Sequence, residues 1–198
     1  MFLIFKTNLH IIIMTKSSYL NNLNYGDIFK TILFMINPTS IVEIGILDGF
    51  SLKTMTDNTS NNCVIKAYDI FDEFNGHSAN KEVLQKEFLK NDNVTIEYGD
   101  FYKLCDDIQD NSIDLLHIDI ANNGDVFEYV IKNYIRKLKR NGIIILEGGS
   151  NERDNVEWMN IYNKPKIQPI IEKYSSSVNI KVIGKIPSLS IITLKNNM

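Results

Sequence analysis

The sequence predicts an α/β protein: a doubly wound, mostly parallel sheet of seven strands that closes with a C-terminal antiparallel hairpin. Three observations carry this. Five short, near-continuous apolar runs alternate with helical patterns, which is how strands buried on both faces of a parallel sheet read. The first run ends in an acid and a glycine turn, Glu43-Ile44-Gly45-Ile46-Leu47-Asp48-Gly49-Phe50-Ser51, and feeds directly into a helical pattern. The last two strand patterns, 178–184 and 189–194, are joined by only a few residues around Pro187. A parallel crossover needs about a dozen residues or more, so this pair must be antiparallel.

The elements follow in order. Residues 25–36 place Ile28, Phe29, Ile32, Leu33 and Ile36 on one helical face, and Pro38 stops the helix. The first strand covers 40–45 and a helix runs from 49 to 57. An Asn/Thr/Ser loop at 58–62 leads to the second strand, 64–69. A polar loop at 71–79 precedes a helix at 80–90. The third strand, 94–98, is followed by Gly99-Asp100, and the fourth covers 113–119. The strongest helical pattern spans 124–139, with a stripe of Phe127, Val130, Ile131, Tyr134, Ile135 and Leu138 and with Gly142 just beyond its end. The fifth strand is 143–147. A further helix and a proline-containing segment separate it from the final hairpin.

The pattern shows no internal repeat and no domain boundary, so residues 14–198 are expected to form one domain. Residues 1–13 are apolar but broken by Lys6 and His10. They are too short to span a bilayer, which takes about 20 residues. They also lack the basic region and cleavage site of a secretion signal. They are expected to be a loose extension or a partly docked strand, with Met14 as an alternative start.

Hydrophobic residues make up 44% of the 198 and charged residues 23%, the balance of an ordinary globular protein. The formal net charge of −3 argues against nucleic acid as a partner. The one basic run, Arg136-Lys137-Leu138-Lys139-Arg140, sits at the end of a helical pattern, where cations complement the helix dipole. Cys63 and Cys105 show no metal-binding spacing and suit a reduced, cytoplasmic protein. No membrane partner is expected, and nothing in the sequence speaks to oligomeric state.

The chemistry gathers at the predicted C-terminal strand ends, the edge where open α/β sheets bind ligands. The loop after the first strand reads E-x-G-x-x-x-G-x-S, not G-x-G-x-x-G. Leu47 stands where a dinucleotide site needs a glycine to approach a pyrophosphate. Glu43 suits a cationic ligand better than a polyanion. Asp69 ends the second strand, 20 residues after Gly49, where a carboxylate can accept ribose hydroxyls; Asp72 and Glu73 are its alternates. Asp100 follows the third strand and Asp119 ends the fourth. His117 shares a strand face with Asp119 and is either a packed core residue or a base. Glu147 ends the fifth strand and precedes Gly148-Gly149, which let the backbone approach a ligand. Arg153, Trp158, Tyr162 and Lys164 follow and could line an acceptor pocket.

These residues resemble class I S-adenosylmethionine (SAM) methyltransferases. The glycine loop resembles their motif I, and His117-Ile118-Asp119-Ile120 resembles the fourth-strand end of catechol-type and macrocin-type O-methyltransferases. The resemblance covers roughly residues 25–195 and implies a Rossmann-like fold. It implies cofactor contacts from Glu43, Gly45, Gly49, Ser51, Asp69, Asp100 and Asp119, with Asp100 at the adenine amino group. It places Asp119 beside the transferred methyl as a catalytic residue, with Glu147 as a general base or acceptor-orienting acid. In metal-dependent relatives these two positions hold magnesium, but those relatives usually carry an aspartate followed by Asp or Asn where this chain has Glu147 and two glycines. The implied activity is methyl transfer to a small-molecule acceptor, a hydroxyl of a sugar or similar metabolite. A NAD-type oxidoreductase and a non-catalytic SAM-binding module are the alternatives. The sequence has no D/N-P-P-Y/F motif of the amino-methylating type, which leaves O- and N-methylation both open.

Overall fold

The computed structural model describes residues 25–73 and 79–195. The expected extension at residues 1–13 and part of the loop at 71–79 lie outside the described residues.

Helix α1 (Tyr25–Ile36) buries Tyr25, Phe29, Ile32 and Leu33. The Tyr25 hydroxyl donates to the Pro187 carbonyl and ties α1 to the distant hairpin turn. Strand β1 (Ser40–Ile44) leads through the glycine loop to α2 (Phe50–Asp57). Next come β2 (Val64–Asp69), α3 (Lys81–Glu87) and β3 (Val94–Tyr98). Then follow α4 (Phe101–Asp107), β4 (Ile113–Ile118), α5 (Gly124–Tyr129) and β5 (Leu138–Glu147). The chain ends with α6 (Glu157–Ile161), α7 (Gln168–Tyr174), β6 (Val178–Gly184) and β7 (Ser188–Leu194).

The seven strands form one sheet in the order β3-β2-β1-β4-β5-β7-β6. β1 to β5 are parallel, and β7 runs antiparallel to both β5 and β6. The expected fold class is therefore the observed one. Alternation along each strand divides the core. Ile41, Ile65 and Leu115 pack with α1 and α2 on one face, while Val42, Ile44 and Leu116 pack with Phe127 and Tyr134 on the other. No helix among the described residues is long and apolar enough to cross a membrane.

Two elements differ from the sequence pattern. The expected helix over 124–139 is α-helical only to Tyr129. It widens to a π-helix at Val130–Tyr134, tightens to a 3-10 turn at Ile135–Lys137, and gives way to β5 at Leu138. The apolar stripe is real, since Phe127, Val130, Ile131, Tyr134 and Leu138 are all buried. Its last member belongs to the strand. The Tyr134 hydroxyl donates to the Phe101 carbonyl at 2.5 Å, and the two rings stack with centroids 5.3 Å apart. Gly142 lies inside β5 and does not cap the helix. A Cβ there would come 2.8 Å from the Ile113 carbonyl oxygen, at a bulge in the β4–β5 pairing.

The basic run is likewise no helix-dipole cluster. Lys137 is buried, bonding the Ile108 carbonyl at 2.6 Å and Asp110 at 2.7 Å, and Lys139 pairs with Asp114 at 2.8 Å. Helix α4 has no counterpart in the expected element order. Asp100 caps it by accepting from the Tyr102 amide at 2.9 Å, and Phe101, Leu104 and Cys105 are buried on its inner face.

Candidate active site

The parallel strands end in register along one edge. Gly45 N donates to Tyr68 O at 2.8 Å, Asp119 N to Ile44 O at 2.9 Å, and Gly99 N to Asp69 O at 3.0 Å. The strand order then sets Asp100, Asp69, the glycine loop, Asp119 and Glu147 in a row. β1 lies at the centre, where the chain winds outward in both directions, and ligands bind open α/β sheets at that switch point.

The loop is shaped by backbone that side chains rarely tolerate. Gly45 has φ 89°, and a Cβ there would overlap the Asp119 carbonyl oxygen. Gly49 has φ 76°, and a Cβ there would meet Leu84 at 2.9 Å. Asp69 fastens this loop. Its Oδ2 accepts from the amides of Ile46 (2.7 Å) and Leu47 (3.4 Å), and its Oδ1 from Phe71 N (2.8 Å). Oδ1, with one amide donor, keeps a second lone pair for a ligand. Among its alternates, Glu73 is engaged by the Tyr98 hydroxyl at 2.8 Å. Asp48 went unnoticed in the sequence. Its Oδ2 is buried in the loop without a hydrogen-bond partner among the described residues.

Glu43 and Ser51, expected at the cofactor, sit behind the loop. Glu43 is fully buried, accepts from the Ser51 hydroxyl, and lies 2.9 Å from His117 Nδ1. His117 is Glu43's register partner across β1 and β4 and meets the Phe29 ring edge-on at 4.9 Å. Alternation along the strand turns these side chains into the core, so they brace the loop from within. His117 is thus a packed, hydrogen-bonded core residue.

Asp119 and Asp100 are half-buried at the edge, and Lys103 Nζ lies 3.5 Å from Asp100. Glu147, expected as a general base or acceptor-orienting acid, is buried in an ion pair. Both of its oxygens are taken by Arg153, Oε1 by Nε at 2.7 Å and Oε2 by Nη2 at 2.8 Å. Burial pushes the Glu147 carboxyl above the ordinary carboxylate range, and the guanidinium opposes that rise. The Trp158 ring lies 5.0 Å from the guanidinium carbon, while Tyr162 and Lys164 are exposed.

Packing alone requires glycine at 148 and 149. Their φ angles are 105° and 112°, Gly148 N donates to Ser188 O at 2.7 Å, and Cβ atoms would collide with Ile167 and Ser190. The donor set also does not fit magnesium. No group of three or more His, Cys, Asp or Glu side chains among the described residues could hold a metal, and both Glu147 oxygens already face a cation.

Comparisons with known proteins agree with this fold. No curated protein matches the chain. The O-methyltransferase from Bacillus cereus, solved with SAH, superposes with a TM-score of 0.68 at 13% identity, covering 95% of this chain and 87% of that one. The O-methyltransferase TomG from Streptomyces achromogenes, solved with SAM, gives 0.67 at 12% identity, covering 87% and 80%. A methyltransferase from Geobacter sulfurreducens gives 0.61 at 17% identity, covering 88% and 80%. At such identities these likenesses speak for the fold. The family is shown by sequence: a methyltransferase-domain model matches residues 42–147, from β1 through the last residue of β5. That span is more than half of the chain and includes the glycine loop, Asp69, Asp100, Asp119 and Glu147, and the chain belongs to this methyltransferase family.

Proposed function

We propose that the protein transfers the methyl group of SAM to a hydroxyl oxygen of a small-molecule acceptor, a sugar or related metabolite. The observation that carries this is the row of acids at the strand ends around β1, in a chain of the methyltransferase family. Asp48, whose Oδ2 is buried without a hydrogen-bond partner among the described residues, puts an acid in a loop where Leu47 replaces the glycine of a diphosphate site. Its charge suits a cationic group such as the ammonium of a methionine moiety. Asp69 accepts a ribose hydroxyl with the remaining lone pair of Oδ1 while holding the loop. Asp100 takes the adenine amino group at the head of α4. SAM supplies an electrophilic methyl on a sulfonium, which leaves as a neutral thioether. Asp119 orients the acceptor hydroxyl for in-line attack and takes its proton. The O-methyltransferases among the structural neighbours support oxygen as the acceptor atom.

Titration calorimetry with SAM, its demethylated product S-adenosylhomocysteine, NAD and NADP tests the reading. Binding of the first two and silence of the others is expected, and tight NAD binding would overturn it. Asp69→Ala should weaken S-adenosylhomocysteine binding by roughly 1–3 kcal/mol, the size of hydrogen bonds to a charged group.

A further inference from the structure

One face of the sheet is left partly uncovered at its β6 end. Helix α1 crosses that face, and between it and the hairpin runs an open groove of about 360 Å3. Asp27, Ile28, Thr31 and Ile32 of α1 form one wall, and Ile191 of β7 and Ile183 of β6 form the other. What the groove exposes is mostly apolar.

The adjoining sheet edge is open as well, because β6 is the last strand. Gly148 N donates to Ser188 O, so the even-numbered residues of β7 face β5 and the odd-numbered ones face β6. The β6 partners of those odd residues are Asn179, Lys181 and Ile183. The amides and carbonyls of Ile180 and Val182 therefore point outward, and no hydrogen bond from the described residues meets them. The opposite edge is treated differently. On β3, Val94 N donates to Asn91 O at 2.9 Å and Ile96 O accepts from Gln85 Nε2 at 3.3 Å. An unpaired edge beside an apolar groove is completed by a strand with one apolar face.

The sequence before α1 holds such a segment. Phe5-Lys6-Thr7-Asn8-Leu9-His10-Ile11 alternates with period two. Phe5, Leu9 and Ile11 share one face with Thr7, and Lys6, Asn8 and His10 share the other. The polar residues that interrupt this apolar stretch are thus spaced as the solvent face of a strand. Its seven residues match the seven of β6. The attachment point is close by, since α1 begins at Tyr25, whose hydroxyl donates to the Pro187 carbonyl at the β6–β7 turn. Thirteen residues, 12–24, join the segment to Tyr25. Fully extended they reach about 43–47 Å. A seven-residue strand is about 23 Å long, so the tether allows either direction along β6. It also keeps the segment at about millimolar effective concentration, an advantage no separate partner has.

We propose that residues 5–11 add to β6 as an eighth strand, with Phe5, Leu9 and Ile11 laid over the groove against Ile28, Ile183 and Ile191. Lys6, Asn8 and His10 face away from the groove. One segment then satisfies the outward groups of Ile180 and Val182 and covers the apolar walls. It also clamps the hairpin that holds the loop after β5, through Gly148 N to Ser188 O at 2.7 Å and the Ser150 hydroxyl to the Lys185 carbonyl.

Hydrogen exchange on the full chain and on a chain starting at Met14 tests this. The Ile180 and Val182 amides should exchange about tenfold or more slowly in the full chain than in the shortened one. That protection should not depend on protein concentration. Leu9→Lys puts a charge on the apolar face and should abolish it, while Asn8→Lys on the polar face should keep it. Fast exchange of both amides in the full chain overturns the proposal, as does equal protection in the two chains or a Leu9→Lys variant that stays protected. Protection that appears only as sedimentation shows a dimer forming gives the groove to a second copy, and overturns it too. If the shortened chain does not fold, the full chain and its two point variants decide.

Discussion

Asp119 is the proposed proton acceptor. It follows directly on β4, half-buried, with its amide held to Ile44 and its carbonyl pressed against Gly45. Backbone on both sides therefore sets where its carboxylate can reach. Asp119→Asn keeps the shape and removes the charge that accepts a proton. We expect turnover to fall by about a hundredfold or more while SAM affinity stays nearly intact, because loss of a general base weighs on the transition state and little on ground-state binding. Single-turnover kinetics with calorimetry on the same sample would show it. Normal turnover in the variant would place the proton acceptor elsewhere. The residues of this edge were unequally legible in the sequence. Asp69, Asp100 and Asp119 announce themselves by following strands. Glu43 and Ser51 belong to the same motif, yet strand alternation turns Glu43 inward to His117 and Ser51 meets it from α2, and a one-dimensional motif does not say which face its members take. Asp48 carries no charge pattern or spacing that marks it. What singles it out is a buried oxygen without a hydrogen-bond partner among the described residues, which only packing reveals.

At the scale of elements, the helical layer over β4 and β5 is joined by one carboxylate. Glu128 on α5 receives Lys173 Nζ at 2.6 Å and the Tyr174 hydroxyl at 2.8 Å, both from α7, and Lys132 lies 3.1 Å away. These partners hold its carboxyl at about 2, below its ordinary 4.5. A depressed acid contributes stability that is complete above its unfolded value and is lost as pH falls toward its folded one. Comparing wild type with Glu128→Gln by urea denaturation, the difference in midpoint should be full near neutrality and shrink as pH drops from 4.5 toward about 2. Because the cations are exposed, raising the salt concentration should shrink it as well. A difference that is constant with pH would mean that the contact acts by packing and not by charge. The neighbouring elements show why periodicity misplaces boundaries. The stripe from Phe127 to Leu138 is continuous in sequence, but the backbone beneath it changes from α to π to 3-10 before becoming strand. Apolar spacing records which side chains reach the core and not how many residues each turn uses. Helix α4 was hidden for a related reason: it is seven residues long, too short for a periodic pattern to stand out, although its cap at Asp100 is a readable sign.

For the whole molecule, the parallel strands and the closing antiparallel hairpin were legible in the sequence, because burial on both faces and the short connection around Pro187 constrain them. The order of the strands depends on which edges pair and comes from the structure. The joining of both halves at β1 has a consequence for stability. The proposed cofactor contacts come from the ends of β2, β3 and β4 as well as from the β1 loop, so binding should brace strands on both sides of the switch point. A ligand that binds only the folded state adds about 2.7 kcal/mol at a hundred times its Kd. For a chain of this size about 2–4 °C of Tm accompanies each kcal/mol. S-adenosylhomocysteine at that concentration should therefore raise Tm by roughly 5–10 °C, with NAD at the same concentration giving no shift. The location of the effect is the stricter measurement. Hydrogen exchange should slow at the amides of Ile46, Leu47, Tyr102 and Asp119. The first two are held by Asp69, the third by Asp100 and the last by β1. The β6–β7 hairpin contributes none of the proposed contacts and should exchange as before. Protection along that hairpin, with the β1–β4 ends unchanged, would put the ligand at another site and remove the assignments of Asp69 and Asp100 together.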